Sequence, residues 1–281
     1  MVTISFQGEL GAYSHQACVE AVPGCDVIPC PSFESAIDAV HDGRADMAML
    51  AVENSTHGRV ADVHQLLPEA NLYAVAEHFV RVHINLMGLK GSRIEDVKIA
   101  RSHPVLLGQC RDFLRAHGIL PERGVDTAGS AREIAERGDP AAAALGSKLA
   151  GELYGLDLLA EEIEDRDSNT TRFLLMGPEE ATPPEGAPVI TSFLFRVRNI
   201  PAALYKGLGG FATNGVNMIK LESYIVDDSF EAAEFYAEII GRPTDAHVER
   251  AMDELRFFTS MVRMLGSYAM HPMRPHMQNR G

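Results

Sequence analysis

The sequence contains no apolar run approaching the ~20 residues needed to cross a bilayer, and it is poor in positive charge. Across 281 residues, 25 Lys and Arg are set against 39 Asp and Glu, a formal net charge of -14. The first shortage argues against a membrane protein. The second argues against nucleic acid or an anionic membrane as partner, because the global field repels both. Cysteines number four, Cys18, Cys25, Cys30 and Cys110. They form no CxxC pair and have no histidine pattern beside them, so reduced, buried thiols are expected and a zinc site is not. No basic segment followed by an apolar stretch precedes the strand-like TISFQG at Thr3, which leads us to expect a cytoplasmic protein. Both the GxGxxG fingerprint and the P-loop lysine pattern are missing.

What remains is an ordinary globular composition, 46% hydrophobic and 23% charged, in a chain long enough for one large domain or two smaller ones. Residues 1–178 alternate short apolar runs with helical patterns, the mark of an α/β architecture. Strands are expected at 3–6, 26–29, 46–52, 72–76, 82–87, 97–100 and 142–145. Helices are expected at 33–41 and 106–117, the latter closed by Gly118. A weak internal echo runs at an offset of 95 residues. Ser35-Ala36, Gly43, Ala48 and Leu50 recur as Ser130-Ala131, Gly138, Ala143 and Leu145. Its physical reading is two similar lobes, roughly 1–76 with a returning end and 77–165, and a ligand cleft between them.

The segment 178–188, PEEATPPEGAP, holds four prolines and three acids and reads as a linker. Beyond it the order is β-α-β-β-α-β, a ferredoxin-like module over 189–270. Its strands are expected at 190–198, 216–226, 232–240 and 266–270. Its helices are expected at 202–213, with Pro201 near N1, and at 244–265 on a stripe of Val248, Met252, Leu255, Val262 and Leu265. The tail 271–281 reads as loose.

Four motifs carry chemical potential, each with a plainer alternative. Gly8-Glu-Leu-Gly11-Ala-Tyr-Ser14 is a glycine turn before a helix, either an anion site or a simple tight turn. Glu53-Asn54-Ser55-Thr56 sits at the carboxyl end of a strand, where ligands bind in open sheets, or caps a helix beginning near Val60. Ser102-His103-Pro104, followed by Gln109-Cys110, has Ser102 as a good N-cap or as a functional hydroxyl. Asn169-Thr170-Thr171-Arg172-Phe173 leads into an apolar strand, where Arg172 either grips a carboxylate or is an edge-strand surface charge.

In this order and at these distances, GxxGxYS, ENS, SHP with QC, and NxTRF resemble the prephenate dehydratase family across residues 2–178. Residues 190–270 are similar to an ACT regulatory domain. The resemblance implies a catalytic region like type II periplasmic binding proteins, with prephenate in the interlobe cleft. It implies phenylpyruvate as product, made by loss of CO2 and hydroxide, a carbon-oxygen lyase reaction on the route to phenylalanine. Aromatisation drives it, so no cofactor and no metal is implied. The family's catalytic positions fall on Thr171, Asn54, Ser55, Gln109 and Ser102. Arg172, Phe173, Glu53, Ser14 and Thr170 fall around the substrate, with helix N-termini near Ser14 and Ser102 adding positive potential.

In the C-terminal module Ala202 stands where the GALV-type region has glycine, and Tyr224-Ile225 where the ESRP-type region has Arg-Pro. The resemblance implies a phenylalanine site at a dimer interface built from Ala203, Leu204, Asn217, Glu222 and Ser223, and a homodimer or homotetramer. Alternatives remain open: arogenate dehydratase, whose substrate has an amino group in place of the ketone, and a non-catalytic amino-acid-binding sensor. A fused chorismate mutase is not expected, since no long helical segment precedes Val2.

Overall fold

The computed structural model describes residues 1–166, 168–225 and 232–274. By packing, the chain falls into two units, residues 1–66 with 78–173, and residues 67–77 with 174–281.

The first unit opens with β1 (Thr3–Gln7), α1 (Tyr13–Ala21), β2 (Asp26–Cys30), α2 (Phe33–His41) and β3 (Met47–Asn54). Next come β4 (Gly58–Arg59), α3 (Ala61–Leu66), β5 (Tyr73–Arg81) and β6 (Asn85–Gly88). A second series follows: β7 (Ile99–Ser102), α4 (Pro104–Gln109), α5 (Arg111–Ala116), β8 (Leu120–Arg123), α6 (Thr127–Arg137) and β9 (Ala142–Gly146). The segment closes with α7 (Lys148–Tyr154), β10 (Asp157–Ala160) and β11 (Thr170–Gly177); the unit boundary falls within β5 and β11.

One sheet has the order β2-β1-β3-β11-β5, with β4 against β3, and the other β10-β6-β9-β7-β8. The internal echo now has a structural meaning. β1 pairs in parallel with both β2 and β3, as β7 does with β8 and β9. Each half is therefore a β-α-β-α-β unit of spatial order 2-1-3. Gly43 (φ +69) and Gly138 (φ +66) end the corresponding helices in the left-handed region, where glycine alone avoids a Cβ clash. Ala48 and Leu50, like Ala143 and Leu145, are fully buried in the strands that follow.

Local chemistry accounts for the helices. Ser32 accepts the Ser35 amide to start α2, and Asp126 accepts the Gly129 amide to start α6. Ala36, Ile37 and Val40 of α2 are buried on one face. Several expected bounds shift. The expected helix 106–117 is two helices broken at Cys110, because Asp165, distant in sequence, accepts the Arg111 and Asp112 amides at 3.1 and 3.2 Å and starts a new helix there. Strand 72–76 runs on to Arg81, and β8 and β10 are strands that their short, polar-interrupted sequences do not announce.

The second unit contains β12 (Val189–Val197), α8 (Ala203–Thr213), β13 (Met218–Ile225), β14 (Ala232–Ile240), α9 (Ala246–Phe258) and β15 (Thr259–Ala269). Its antiparallel sheet has the order β13-β14-β12-β15, the ferredoxin-like topology. Phe193, Phe195, Phe211, Phe235, Val248, Met252 and Leu255 form its core. The expected long helix 244–265 is overturned: α9 ends at Phe258, and Val262 and Leu265 belong to β15, paired with β12 from Val189↔Ala269 to Val197↔Thr259. Pro201 precedes the helix rather than occupying N1, and Ala202 is its N-cap at φ +62. Val226 lies outside the described residues, as does the tail from Pro275. His271–Arg274 are described and tied down: Arg274 Nε lies 2.7 Å from Glu77 Oε1, and its Nη2 3.1 Å from Glu238 Oε2. Among the described residues no helix is long and apolar enough to cross a membrane.

Candidate functional site

Side chains from three distant segments of the first unit converge where β11 lies beside β3. Asn54, at the end of β3, donates through Nδ2 to Asn169 Oδ1 at 2.7 Å and to Thr171 Oγ1 at 3.0 Å. Its Oδ1 accepts the Thr56 and His57 amides, both at 3.0 Å, which closes a turn after the strand. The Asn54 amide is thus held at both ends. Asn169 passes the network on, its Nδ2 donating to Gln109 Oε1 at 3.2 Å at the end of α4. Because Thr171 Oγ1 accepts from Asn54, its own hydrogen is left to be donated elsewhere, and acceptance polarises it for that role.

Ser55 clamps the two strands. Its amide donates to the Thr170 carbonyl and its hydroxyl accepts the Thr170 amide, both at 2.9 Å. The same hydroxyl donates to the Ser168 carbonyl at 2.8 Å. Ser55 is therefore a backbone organiser. Thr170 and Phe173 are buried in β11. Arg172 is buried too, with Nη1 3.8 Å from Glu53 Oε2. It is not an edge-strand surface charge, since β11 lies between β3 and β5.

Two further expected participants stand on other elements. Ser102 is the last residue of β7, fully buried, and donates to the Leu145 carbonyl at 2.8 Å. It is not the N-cap of α4. His103 is, its ring accepting the Val105 amide. Ser14 lies in the first turn of α1, whose N-cap Ala12 makes no side-chain cap. Gly11, before it, packs so tightly that a Cβ there would stand 2.8 Å from Ala150 Cα. The glycine turn is thus explained by φ +90 and close approach.

A cleft of about 680 Å³ opens beside the cluster, lined by Ser55, Thr56, Gly108, Gln109, Asn169 and Ser168, with Arg111, Arg115 and Arg166 set against Asp112 and Asp165. It is locally positive on a strongly acidic protein. Behind it, the Tyr13 hydroxyl donates to the His83 carbonyl at 2.7 Å, and burial, with Glu164 and Cys110 nearby, pushes its pKa well up. Burial raises the Cys110 thiol likewise, reinforced by Asp165 and Glu164. Sequence reasoning passes over Asn169 as a site residue, and Asp165 and the cleft arginines altogether. The asparagine is visible in the NxTRF spacing, whereas the others carry no local signal.

In the second unit, Ala203 and Leu204 begin α8, and Asn217 offers its carbonyl to the Ile240 amide at 2.9 Å. Glu222 and Ser223 lie on β13, an edge strand of the sheet, with Glu222 3.4 Å from Lys220.

The profile described as prephenate dehydratase matches residues 4–181. A bifunctional N-acyl-homoserine lactone acylase/prephenate dehydratase of Komagataeibacter europaeus is 48% identical over 272 residues, 96% of this chain and 97% of that one. Chloroplastic arogenate dehydratase/prephenate dehydratase 1 of Arabidopsis thaliana is 36% identical over 287 residues, 97% of this chain and 73% of its own. The crystal structure of prephenate dehydratase from Arthrobacter aurescens in complex with L-Phe superposes with a TM-score of 0.85 at 30% identity, over 96% of this chain and 90% of that one. By its sequence and by its fold, this chain belongs to the prephenate dehydratase family of lyases.

Proposed function

We propose that the chain converts prephenate to phenylpyruvate in the cleft beside Asn54, Thr171 and Gln109. The observation that carries this reading is the Asn54 bridge, which fixes Thr171 Oγ1 as an acceptor and leaves its hydrogen for a leaving group. An unperturbed threonine hydroxyl is a poor acid, so its role is to hydrogen-bond the departing oxygen rather than to protonate it fully. Gln109 lines the same cleft, and because its Oε1 accepts from Asn169, its N–H groups remain as donors for substrate. Expulsion of hydroxide and of CO2 leaves an aromatic ring, which makes the step irreversible.

Residues 1–178 are the catalytic region in this reading, 179–188 the linker and 189–270 an ACT-type module. The L-Phe bound to the Arthrobacter relative supports phenylalanine as its effector. The exposed Tyr205 and Leu221, on α8 and on the outer strand β13, suit association with a second copy, giving a dimer or tetramer. Phenylpyruvate formation from prephenate, with and without added phenylalanine, tests both parts. Lack of any aromatic product from prephenate and from arogenate would sink the catalytic part, and lack of heat on titration with millimolar phenylalanine the regulatory one. Arogenate is the second substrate to try because the Arabidopsis relative bears both names. The Komagataeibacter relative's double name makes release of the acyl chain from an N-acyl-homoserine lactone a second activity to assay.

A further inference from the structure

Resting on the dehydratase reading, we infer that Arg111 and Arg166 select the substrate by charge, favouring the keto acid prephenate over the amino acid arogenate. Both substrates bear two carboxylates, and a protein of net charge -14 must answer them locally. Arg172 is already answered in part, since its guanidinium is buried beside Glu53. In the cleft, Arg115 Nη1 lies 3.5 Å from Asp112 Oδ1, so those charges offset each other. The Asp165 carboxylate accepts the Arg111 and Asp112 amides.

Arg111 and Arg166 are then the cations left to the cleft; among the described residues neither makes an ion pair. Arg111 is also directed. Its Nη2 stands 3.6 Å from where a side chain on Gly108 would begin, so the guanidinium folds back over α4 next to Gln109. Arg166 stands on the segment that leads into Asn169 and lines the same cleft.

The two substrates differ at the carbon next to the side-chain carboxylate. A guanidinium can give one N–H to that carboxylate and a second to the adjacent ketone oxygen of prephenate, a bidentate grip. In arogenate an ammonium stands in the ketone's place. It cancels one negative charge and is repelled by any arginine near enough to hold the carboxylate.

The test compares kcat and KM on both substrates for the full-length protein and for Arg111→Gln, Arg166→Gln and the double variant, at low and moderate salt. The wild type should favour prephenate. The double variant should raise KM for prephenate about tenfold or more, with a far smaller change in kcat. Its KM for arogenate should rise much less, so that the preference narrows, and the salt dependence of the prephenate KM should weaken. Arg111→Lys should restore only part of the loss, since lysine keeps the charge and not the fork. Unchanged KM values, or equal losses on both substrates, would overturn the inference while leaving the dehydratase reading standing. Turnover of neither substrate by the wild type would bring down both.

Discussion

Asn54 Nδ2 stands 3.0 Å from Thr171 Oγ1, a hydrogen bond across 117 residues of chain. It joins the end of β3 to the start of β11, and its direction decides what the threonine can do. With the amide donating, the hydroxyl is an acceptor toward Asn54 and keeps its own hydrogen to donate.

Thr171→Ala is expected to lower kcat on prephenate by ~100-fold or more, with little change in KM, the loss typical of one preorganised donor. Thr171→Ser should retain most of the rate. Asn54→Ala should fall between them, because the threonine stays but loses its orientation. Single-turnover measurement of phenylpyruvate formation checks all three, and equal kcat for Thr171→Ala and wild type would contradict the assignment.

Ala202 sits at φ +62, a conformation that costs an alanine about 1 kcal/mol relative to glycine. Ala202→Gly is therefore expected to stabilise the second unit by about that amount, read as a higher midpoint in urea. A lowered midpoint would show that the Ala202 methyl contributes packing that its exposed position does not suggest.

Arg274 meets two carboxylates, of Glu77 and Glu238, whose side chains are wholly buried. The Tyr236 hydroxyl also donates to Glu238. Removing the cation takes away the charge that both carboxylates share, so Arg274→Ala is expected to destabilise the protein by roughly 3–5 kcal/mol. Glu77→Gln in the same background should recover part of the loss, because it removes one of the two carboxylates that Arg274 bridges. Chemical denaturation of the single and double variants checks this.

His15 accepts the Gly11 amide at Nδ1, 3.0 Å away, and burial lowers its pKa from the ordinary 6.5. The folded state thus keeps it neutral, whereas the unfolded chain protonates it once the pH drops below 6.5. Its contribution is fully present above that pH and declines as the pH falls toward the lower folded value. His15→Asn preserves an acceptor without a titration. Urea midpoints on either side of pH 6.5 should show the wild type losing more than the variant on the acid side, and parallel profiles would contradict it.

Much of the fold and of the site is legible in the order of residues alone. Strand and helix alternation in residues 1–178 predicts an α/β fold, and the 95-residue echo anticipates the two β-α-β-α-β halves, because buried small residues and a helix-ending glycine are local requirements. Asn54, Gln109 and Thr171 are picked out by motif order. Three features are hidden for identifiable reasons. The break at Cys110 is imposed by Asp165, 55 residues later. The apolar spacing of Val262 and Leu265 continues the helical stripe in sequence, but pairing with β12 places both in the strand β15. Ser102 looks like a cap because a serine before His-Pro often is one, yet β7 extends far enough to bury it.

The late arrival of β11 matters to the newly made chain. β3 leaves the ribosome with β1 ready to pair along one edge, while β11, the neighbour of its other edge, is more than a hundred residues behind. At ordinary rates of synthesis that edge waits on the order of ten seconds. For that interval the N-terminal half carries an open hydrogen-bonding ladder beside fully buried Ala48, Met49 and Leu50, the kind of surface that invites association with another nascent chain. Closure by β11 ends the exposure and, in the same movement, delivers Thr171 to Asn54.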